Sequence, residues 1–288
     1  MKSNTPIKSN AYFLEGDKLY IKRARIALPI LVRQAKSHEK IYYSQLASEM
    51  GMPNPRNLNY VLGAIGNAIK HIEQAQKIKI PLINCLVVSK SSELPSDGIT
   101  GFINKKDFEK LPSHEKDLYF AEEFSEIFHY KQWDQVLHFL GLEPLKNDFV
   151  KIEKLKNQTK ERFGGGESQY HIDFKNYIKN NPSSLGLRPS LVGETEYILP
   201  SMDAIDVIFK DKDLFIGIEA KSRISNENDI LRGVFQTIKY KALIKAEQII
   251  HDQTPNYRVI LALEGLLPNN LQGICNQLGV EVIQNIRS

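Results

Sequence analysis

The sequence predicts an α/β protein with a mixed β-sheet flanked by helices in its second half and a mainly helical first half. Two observations carry this prediction. Three apolar segments follow one another between residues 194 and 220, with polar turns between them. Both halves also contain longer segments in which apolar residues recur at helical spacing. With 288 residues, the chain is long enough for two domains.

The first half contains a pattern of short helices separated by a strand and a turn. Apolar spacing predicts a helix over residues 22–35, a short strand over 41–43 and a second helix from Ser44 to Gly51. The prolines at 53 and 55 predict a turn, and a third helix follows over 56–70. This order is typical of a winged-helix or helix-turn-helix domain. The sequence further predicts a strand over residues 86–88, a turn over 94–98 and a helix over 116–140.

The second half alternates helices and strands. The patterns predict a helix over residues 167–179, three successive strands over 194–199, 204–209 and 214–220, and a helix over 233–246. A strand over 258–263, a helix over 271–278 and a strand over 280–283 follow. Together these elements predict one mixed sheet with helices packed against it.

Three consecutive glycines at 164–166 mark the boundary between the halves, because such a run does not hold a regular element. A polar segment precedes them. We therefore predict a first domain over residues 1–150, a linker over 151–163 and a second domain over 164–288.

Composition and charge narrow the class of protein. The net charge is +4, with an excess of basic residues over residues 1–163 and a slight acidic excess after them. This division suits a DNA-binding module joined to a carboxylate-lined site, although ordinary surface charge accounts for it equally well. No apolar run is long enough to span a membrane, and no secretory signal is seen. Cys85 and Cys275 lack the spacing of a metal-ligand pair, so we expect reduced thiols in a cytoplasmic protein.

Two neighbouring strands carry charged groups at adjoining ends. Asp206 lies near the start of the strand over 204–209, and Glu219 and Lys221 end the next strand. Residues two apart on a strand face the same side, and a hairpin brings Asp206 toward Glu219. The predicted cluster of two carboxylates and an ammonium group suits phosphodiester hydrolysis. Carboxylates hold Mg²⁺, and an ammonium group stabilises phosphoryl charge.

These residues resemble the PD-(D/E)xK nuclease superfamily, which includes restriction endonucleases, archaeal Holliday-junction resolvases and RecB-type nucleases. Gln236 and Tyr240 match the QxxxY helix that follows the ExK strand in RecB-like members. The resemblance covers residues 164–288. It implies a restriction endonuclease-like fold, a bound Mg²⁺ ion with Mn²⁺ as an alternative, and catalytic roles for Asp206, Glu219, Lys221, Gln236 and Tyr240.

The metal ligands implied by this resemblance are Asp206, Glu219 and Glu167. Glu167 opens the predicted helix before the three strands, where many resolvase-like members place a metal-binding glutamate. The alternative is that Glu167 simply favours a helix N-terminus. No proline precedes Asp206, because Ile205 stands there, and Asp203 is therefore a rival for the metal-binding role.

The predicted helix-turn-helix region supplies candidates for DNA binding. Asparagine and arginine side chains on a recognition helix can contact base edges, and aromatic residues accompany them here. The alternative is a set of polar residues that are merely exposed on a helix face. The candidates are Tyr43, Arg56, Asn57, Asn59 and Tyr60.

Residues 42–101 resemble the DNA-binding domain of alkyltransferase-like proteins. The likeness lies in residues 43–47 (YSQLA), 62–64 (LGA), 80–81 (IP), 87–88 (VV) and 97–98 (DG). Those proteins carry a methyl-acceptor cysteine in a PCHR motif, whereas no histidine or arginine follows Cys85 here. The resemblance thus implies a DNA-binding fold without alkyl transfer, and we expect Cys85 to be a buried, inert thiol.

These patterns together predict a two-domain, Mg²⁺-dependent endonuclease that acts on double-stranded DNA. By analogy with the superfamily, the expected setting is restriction or antiphage defence. One core holds one site, so cutting both strands requires two protomers or two encounters, and we expect a homodimer. Two alternatives stay open. One is a catalytically inactive nuclease fold that binds DNA, and the other is a structure-specific repair nuclease or resolvase.

Overall fold

A computed structural model of the chain describes residues 14–103, 108–145 and 168–287. The chain divides into two compact units, Met1–Asn147 and Asp148–Ser288. The linker predicted over residues 151–163 and the candidate ligand Glu167 lie outside the described residues. Within the described ranges, no helix is both long and apolar enough to cross a membrane.

The first unit is mainly helical and contains the predicted order of helix, short strand, helix, turn and helix. Its elements are α1 (Leu19–Ser37), β1 (Ile41–Tyr42), α2 (Tyr43–Glu49), α3 (Leu58–Gln76), β2 (Val87–Val88), α4 (Ser113–His129) and α5 (Trp133–Phe139). β1 and β2 pair in parallel, with Ile41 opposite Val87. The part of this unit that the structure describes contains no antiparallel hairpin of the kind that forms a wing.

The core of the first unit lies around α1 and α3. Both helices bury one apolar face in a single cluster that also takes in α5 and the segment around Cys85. Apolar residues that recur every three or four positions make up these faces, and this spacing is what predicts the helices from the sequence. The buried positions include Ala24, Leu28, Leu31, Val61, Ile65 and Ile69.

The single helix predicted over residues 116–140 is wrong, because the chain forms two helices there. Tyr130 takes an extended backbone conformation after α4. The indole N–H of Trp133 donates to the carbonyl of Ile127 at 3.0 Å, and the Tyr130 ring packs edge-on against Trp133. The hydrogen bond satisfies a backbone carbonyl in the last turn of α4, and both contacts stabilise the break between the two helices. The sequence pattern concealed it because Trp133 and Leu137 continue the apolar spacing.

The second unit is a five-stranded sheet with helices on both faces. Its elements are α6 (Gln169–Asn180), β3 (Gly193–Ile198), β4 (Ala204–Asp211), β5 (Leu214–Lys221), α7 (Glu227–Ile250), β6 (Tyr257–Leu263), α8 (Asn269–Gln277) and β7 (Glu281–Ile283). The strands lie in the order β3-β4-β5-β6-β7. β3, β4 and β5 are antiparallel, whereas β5, β6 and β7 are parallel. The prediction of a mixed sheet flanked by helices is confirmed.

Helices α6 and α7 cover opposite faces of β4 and β5. Phe174 of α6 packs with Val207 and Ile218, and a side chain at Gly217 would point toward Ile244 of α7. Successive strand residues face opposite sides, so burial on both faces explains the continuous apolar runs in these strands. The charged residues that interrupt the runs therefore lie where the strands end.

Helix α7 is longer than the predicted span of residues 233–246. Asn226 caps it, since its side chain accepts from the backbone N–H of Asp229, and Asp229 accepts from the backbone N–H of Asn226 in return. This reciprocal cap sets the start of the helix two turns before Gly233. The helix thereby extends past the end of β5, where Glu219 and Lys221 lie.

Candidate active site

The ladder between β4 and β5 ends next to the candidate site. Paired residues run from Asp211 and Leu214 to Val207 and Ile218. Beyond that pair, the backbone N–H of Ala220 donates to Oδ2 of Asp206 at 2.8 Å. A buried N–H requires an acceptor, and here a carboxylate supplies it where the strands part. The side chain of Asp206 is thus held against the end of β5.

Glu219 and Lys221 lie on the same side of β5, as their spacing predicts. Lys221 Nζ donates to Oε1 of Glu219 at 2.5 Å. Glu219 is only 1% exposed, and its Oε2 has no hydrogen-bond partner among the described residues. A buried carboxylate oxygen without a donor is energetically unfavourable, by about 1–3 kcal/mol or more for a charged group. The arrangement therefore favours a cation that would contact this oxygen.

The environment of Glu219 disfavours its ionised form. Burial raises the pKa of its carboxyl to about 7, and the negative charge of Asp206 contributes in the same direction. Lys221 opposes this shift through its charge and hydrogen bond. In return, burial lowers the pKa of Lys221, but Glu219 outweighs that effect and raises the pKa above its ordinary value. Lys221 is therefore a stable ammonium group at neutral pH.

Asp206 is stabilised as a carboxylate by its neighbours. Burial alone would raise its pKa, but His171 and the positive charge of Lys221 outweigh burial and lower that pKa below its ordinary value. His171 Nε2 lies 3.6 Å from Oδ1 of Asp206. The two carboxylates of the site thus differ, because Asp206 is readily ionised whereas Glu219 resists ionisation.

Our sequence analysis missed His171. It projects from α6, across from the side of the sheet on which α7 lies, and reaches Asp206 at the end of the ladder. The sequence spacing does indicate His171 as a candidate, because it lies four residues after Glu167 and thus on the same face of the helix predicted there. Only the packing of α6 against β4 makes this contact, and the sequence spacing does not reveal that packing.

Helix α7 brings Gln236 and Tyr240 to the site, as the motif implied. Oε1 of Gln236 accepts from Lys221 Nζ at 3.4 Å. The Tyr240 hydroxyl donates to the carbonyl of Ala204 at 2.7 Å, which ties α7 to the start of β4. Burial, followed by the charge of Glu219, raises the pKa of Tyr240. Gln236 therefore contacts the lysine, while Tyr240 acts as a neutral positioning residue.

Gly233 allows α7 to approach Lys221 closely. A Cβ at this position would lie 2.9 Å from Cε of Lys221 and 2.8 Å from Cδ1 of Leu261. Such distances are shorter than van der Waals contact, so any larger residue would displace one of these side chains. The sequence predicts only that a helix begins at Gly233, because the packing role of this residue depends on contacts between segments that are distant in sequence.

The rival carboxylate, Asp203, has other partners. Its Oδ1 lies 2.5 Å from Lys239 Nζ, and its Oδ2 accepts from the hydroxyl of Ser201 at 2.7 Å. The hydrogen bond from Lys239 is the main reason that its pKa is lowered. Both oxygens are engaged, which leaves Asp206 as the aspartate that contacts the Glu219–Lys221 segment.

A second ion pair lies next to this cluster. Lys175, one turn after His171 on α6, pairs with Glu196 of β3 and is itself buried. Glu196 has a left-handed backbone with φ of 56°, and it interrupts the pairing between β3 and β4 at the level of Asp206. Regular pairing with both neighbouring strands is thus absent at Asp206, whose side chain remains largely buried at 16% exposure.

The donor set at the site fits a hard divalent cation. Asp206 and Glu219 offer carboxylate oxygens, and Mg²⁺ is commonly held by one or two carboxylates together with water and substrate phosphate. Among residues 14–103, 108–145 and 168–287, no group of three or more His, Cys, Asp or Glu side chains is arranged to hold a metal ion. Glu167, the third ligand that the resemblance implied, lies outside those ranges.

The candidate DNA-binding residues of the first unit are mostly exposed. Arg56 and Asn57 belong to a short 3₁₀ helix, Pro55–Asn57, and Asn59 and Tyr60 lie in the first turn of α3. Tyr60 is 63% exposed. Four of the candidates are therefore exposed and lie at or just before the N-terminus of α3.

Tyr43 differs from the other candidates. It begins α2, its ring is half-buried, and its hydroxyl lies 2.8 Å from Oγ of Ser96. The same hydroxyl accepts from the backbone N–H of Ser96. These contacts give Tyr43 a structural role in holding the 89–98 segment against α2.

The cysteines are buried, as expected for inert thiols. Cys85 and Cys275 are free and inaccessible to solvent. Burial raises the pKa of the Cys85 thiol well above its ordinary value and raises that of Cys275 to about 12. Neither thiol forms a nucleophilic thiolate at neutral pH, which agrees with the absence of a methyl-acceptor motif.

The whole chain was compared with protein-family models, with curated proteins and with solved structures, and none of the three comparisons gives a match.

Proposed function

We propose that this protein is a metal-dependent DNA endonuclease that hydrolyses phosphodiester bonds at Asp206, Glu219 and Lys221. The observation that carries the proposal is the state of Glu219. Its carboxylate is buried, one of its oxygens has no hydrogen-bond donor among the described residues, and it lies beside Asp206 and Lys221. A buried acid that keeps one unsatisfied oxygen and has a raised pKa is a feature of functional sites.

The charges of the cluster support a divalent cation as cofactor. When both acids are ionised, Asp206 and Glu219 carry two negative charges against the single positive charge of Lys221. In a buried setting such an imbalance is unfavourable, and a bound cation would offset it. When bound, Mg²⁺ supplies a Lewis acid that activates water and offsets charge on the phosphate.

Lys221 is the residue best placed to assist the chemistry directly. Its ammonium group is held by Glu219 and Gln236 at the end of β5. A fixed ammonium group can orient the attacking water and stabilise negative charge that develops on the phosphoryl group. Because Gly233 and Gln236 both contact Lys221, α7 limits the positions that this side chain can adopt.

Two further observations support DNA as the substrate. The order α6, β3, β4, β5, α7, β6 is that of a helix, three antiparallel strands, a helix and a parallel strand, which fits the resemblance to the PD-(D/E)xK nucleases. The exposed group Arg56, Asn57, Asn59 and Tyr60 at the start of α3 offers donors and a ring suited to base edges and phosphates.

The direct test is cleavage of supercoiled plasmid DNA by the full-length chain with Mg²⁺ and with a chelator. We expect nicking that needs the metal and that falls by about 10²–10³-fold in Lys221→Ala, the range for loss of one electrostatic stabiliser. The matched control is Lys239→Ala, which removes a lysine of α7 that pairs with Asp203. Full activity in Lys221→Ala would reject the proposed role of this residue.

The type of DNA substrate is open to a second test. Linear duplex, branched DNA and DNA from phages with modified bases separate three uses of the same site. Preference for duplex or for modified phage DNA supports a role in restriction or antiphage defence. Preference for branched DNA supports a repair or resolvase role instead. Tight binding without cleavage of any of these substrates would support the inactive alternative.

A further inference from the structure

A polar pocket of about 450 Å³ lies in the second unit between α6 and the segments that follow β5 and β6. Its walls combine aromatic rings, side-chain amides and a few charged groups. Among the described residues, they include Tyr170, Asn176, Tyr177, Asn180, Arg223 and Glu264. None of these residues has a part in the cluster around Asp206.

The pocket adjoins the candidate active site. Tyr170 directly precedes His171, which contacts Asp206, and Arg223 follows Lys221 by two residues. The backbone N–H of Glu264 donates to the carbonyl of Lys221 at 3.0 Å. The pocket and the cluster thus share α6 and the end of β5.

One wall of the pocket contains an aromatic ring and a guanidinium group that lie against each other. The Arg223 guanidinium lies 4.8 Å from the centre of the Tyr170 ring. Glu264 holds Arg223, because it accepts from the Arg223 backbone N–H at 2.8 Å and contacts the guanidinium at 3.4 Å. Aromatic rings and guanidinium planes are the surfaces on which unpaired bases stack in nucleic-acid-binding proteins.

The charges of the pocket indicate a neutral occupant. Among the lining residues that the structure describes, Asp173 and Glu264 are acidic and only Arg223 is basic, so these walls do not favour a phosphate group. The amides of Asn176 and Asn180 present both donors and acceptors, which suits the edge of a nucleobase. Rings to stack on and amides to pair with together match a base better than any anion.

We propose that this pocket binds an unpaired nucleobase of the DNA strand whose neighbouring phosphodiester lies at Asp206, Glu219 and Lys221. The inference rests on the proposed nuclease function and extends it to a substrate class, namely DNA with an extruded or single-stranded nucleotide beside the cut. Removing a base from the stack requires least energy where it is already mismatched or unpaired. The protein therefore favours such sites over perfect duplex.

The test is a binding measurement that does not depend on cleavage. The full-length Lys221→Ala variant is titrated with two DNA duplexes that carry 2-aminopurine, either paired with thymine or opposite an abasic site. We expect tighter binding of the unpaired base, with a change in its fluorescence as it stacks in the pocket. Tyr170→Ala reduces this preference by about tenfold, which corresponds to roughly 1.4 kcal/mol and lies within the range for stacking of a base on an aromatic ring.

Two matched variants make the result specific. Tyr170→Phe keeps the ring and retains the preference, and Asn269→Ala, an exposed asparagine on α8, leaves it unchanged. Equal affinity for paired and unpaired 2-aminopurine, or an unchanged preference in Tyr170→Ala, would overturn the proposal. A different outcome is that the unaltered protein does not cleave plasmid DNA but still binds the unpaired base more tightly. That result would reject the nuclease function and support base binding in the pocket.

Discussion

The carboxylate of Asp206 accepts a hydrogen bond of 2.8 Å from the backbone N–H of Ala220. Ala220 lies between Glu219 and Lys221, so this bond ties one acidic group to the strand segment that carries the other two charged side chains. The contact forms where the β4–β5 ladder ends. The site is therefore organised by the protein itself, as an effective catalytic arrangement requires.

Mg²⁺ binding should depend on Asp206 and be independent of Asp203. We expect Mg²⁺ to raise the melting temperature of the unaltered protein, because a ligand at about 100 times its Kd stabilises a fold by about 2.7 kcal/mol. Asp206→Asn should abolish most of this shift. Asp203→Asn should retain it, because both carboxylate oxygens of Asp203 already contact Lys239 or Ser201. Thermal unfolding with and without Mg²⁺ measures both. A shift that survives in Asp206→Asn contradicts our assignment of the metal ligand.

Gly233→Ala should impair both packing and cleavage. The added methyl group would lie 2.8–2.9 Å from Leu261 and Lys221, so one of these side chains must move. Overpacking of this kind destabilises a protein by about 1–3 kcal/mol. Displacement of Lys221 should also slow plasmid nicking at least about tenfold, the change expected for a barrier increase of roughly 1.4 kcal/mol.

The control for Gly233→Ala is Gly63→Ala, a helical glycine of α3 with open space around its Cβ position. That substitution should leave stability unchanged or raise it by up to about 1 kcal/mol, because alanine favours a helix over glycine. Denaturant unfolding and nicking assays compare the two variants. Equal stability and equal nicking rates in both would show that α7 does not constrain Lys221.

Tyr240→Phe should weaken the attachment of α7 to β4 without removing metal binding. The substitution deletes the hydroxyl that donates to the Ala204 carbonyl, a loss of about 0.5–1.5 kcal/mol in unfolding free energy. The nicking rate should fall modestly while the Mg²⁺-induced thermal shift persists, because Tyr240 positions the site and does not supply a carboxylate. Loss of the thermal shift would indicate that the tyrosine acts on the metal ligands themselves.

Arg56→Ala should weaken DNA binding without affecting the chemistry of the second unit. Arg56 is exposed at the start of α3, and loss of a base contact by such a residue reduces affinity by about 1–3 kcal/mol. The charge control is Lys77→Gln at the opposite end of the same helix. Fluorescence anisotropy with a labelled duplex measures the affinities. If both variants bind the duplex as tightly as the unaltered protein does, the N-terminus of α3 is not the DNA-binding surface.

Much of the fold could be predicted because it depends on local periodicity. The strands over 204–211 and 214–221 are runs of apolar residues ended by charged ones, and a two-residue repeat places Glu219 and Lys221 on one side. The start of α7 is less apparent, since it depends on the reciprocal cap between Asn226 and Asp229. The break after Tyr130 was missed because the Trp133 indole, and not a local breaker such as proline, supports it.

The sequence by itself determined which chemical groups are present and which of them share a strand or helix face. The tertiary structure alone decided that His171 reaches Asp206, that Asp203 is engaged elsewhere, and that Gly233 lies against Lys221. The physical reason is the range of the interactions. Periodicity and capping act over a few residues, whereas these contacts join segments that are distant in sequence and depend on how α6 and α7 pack against the ends of β4 and β5.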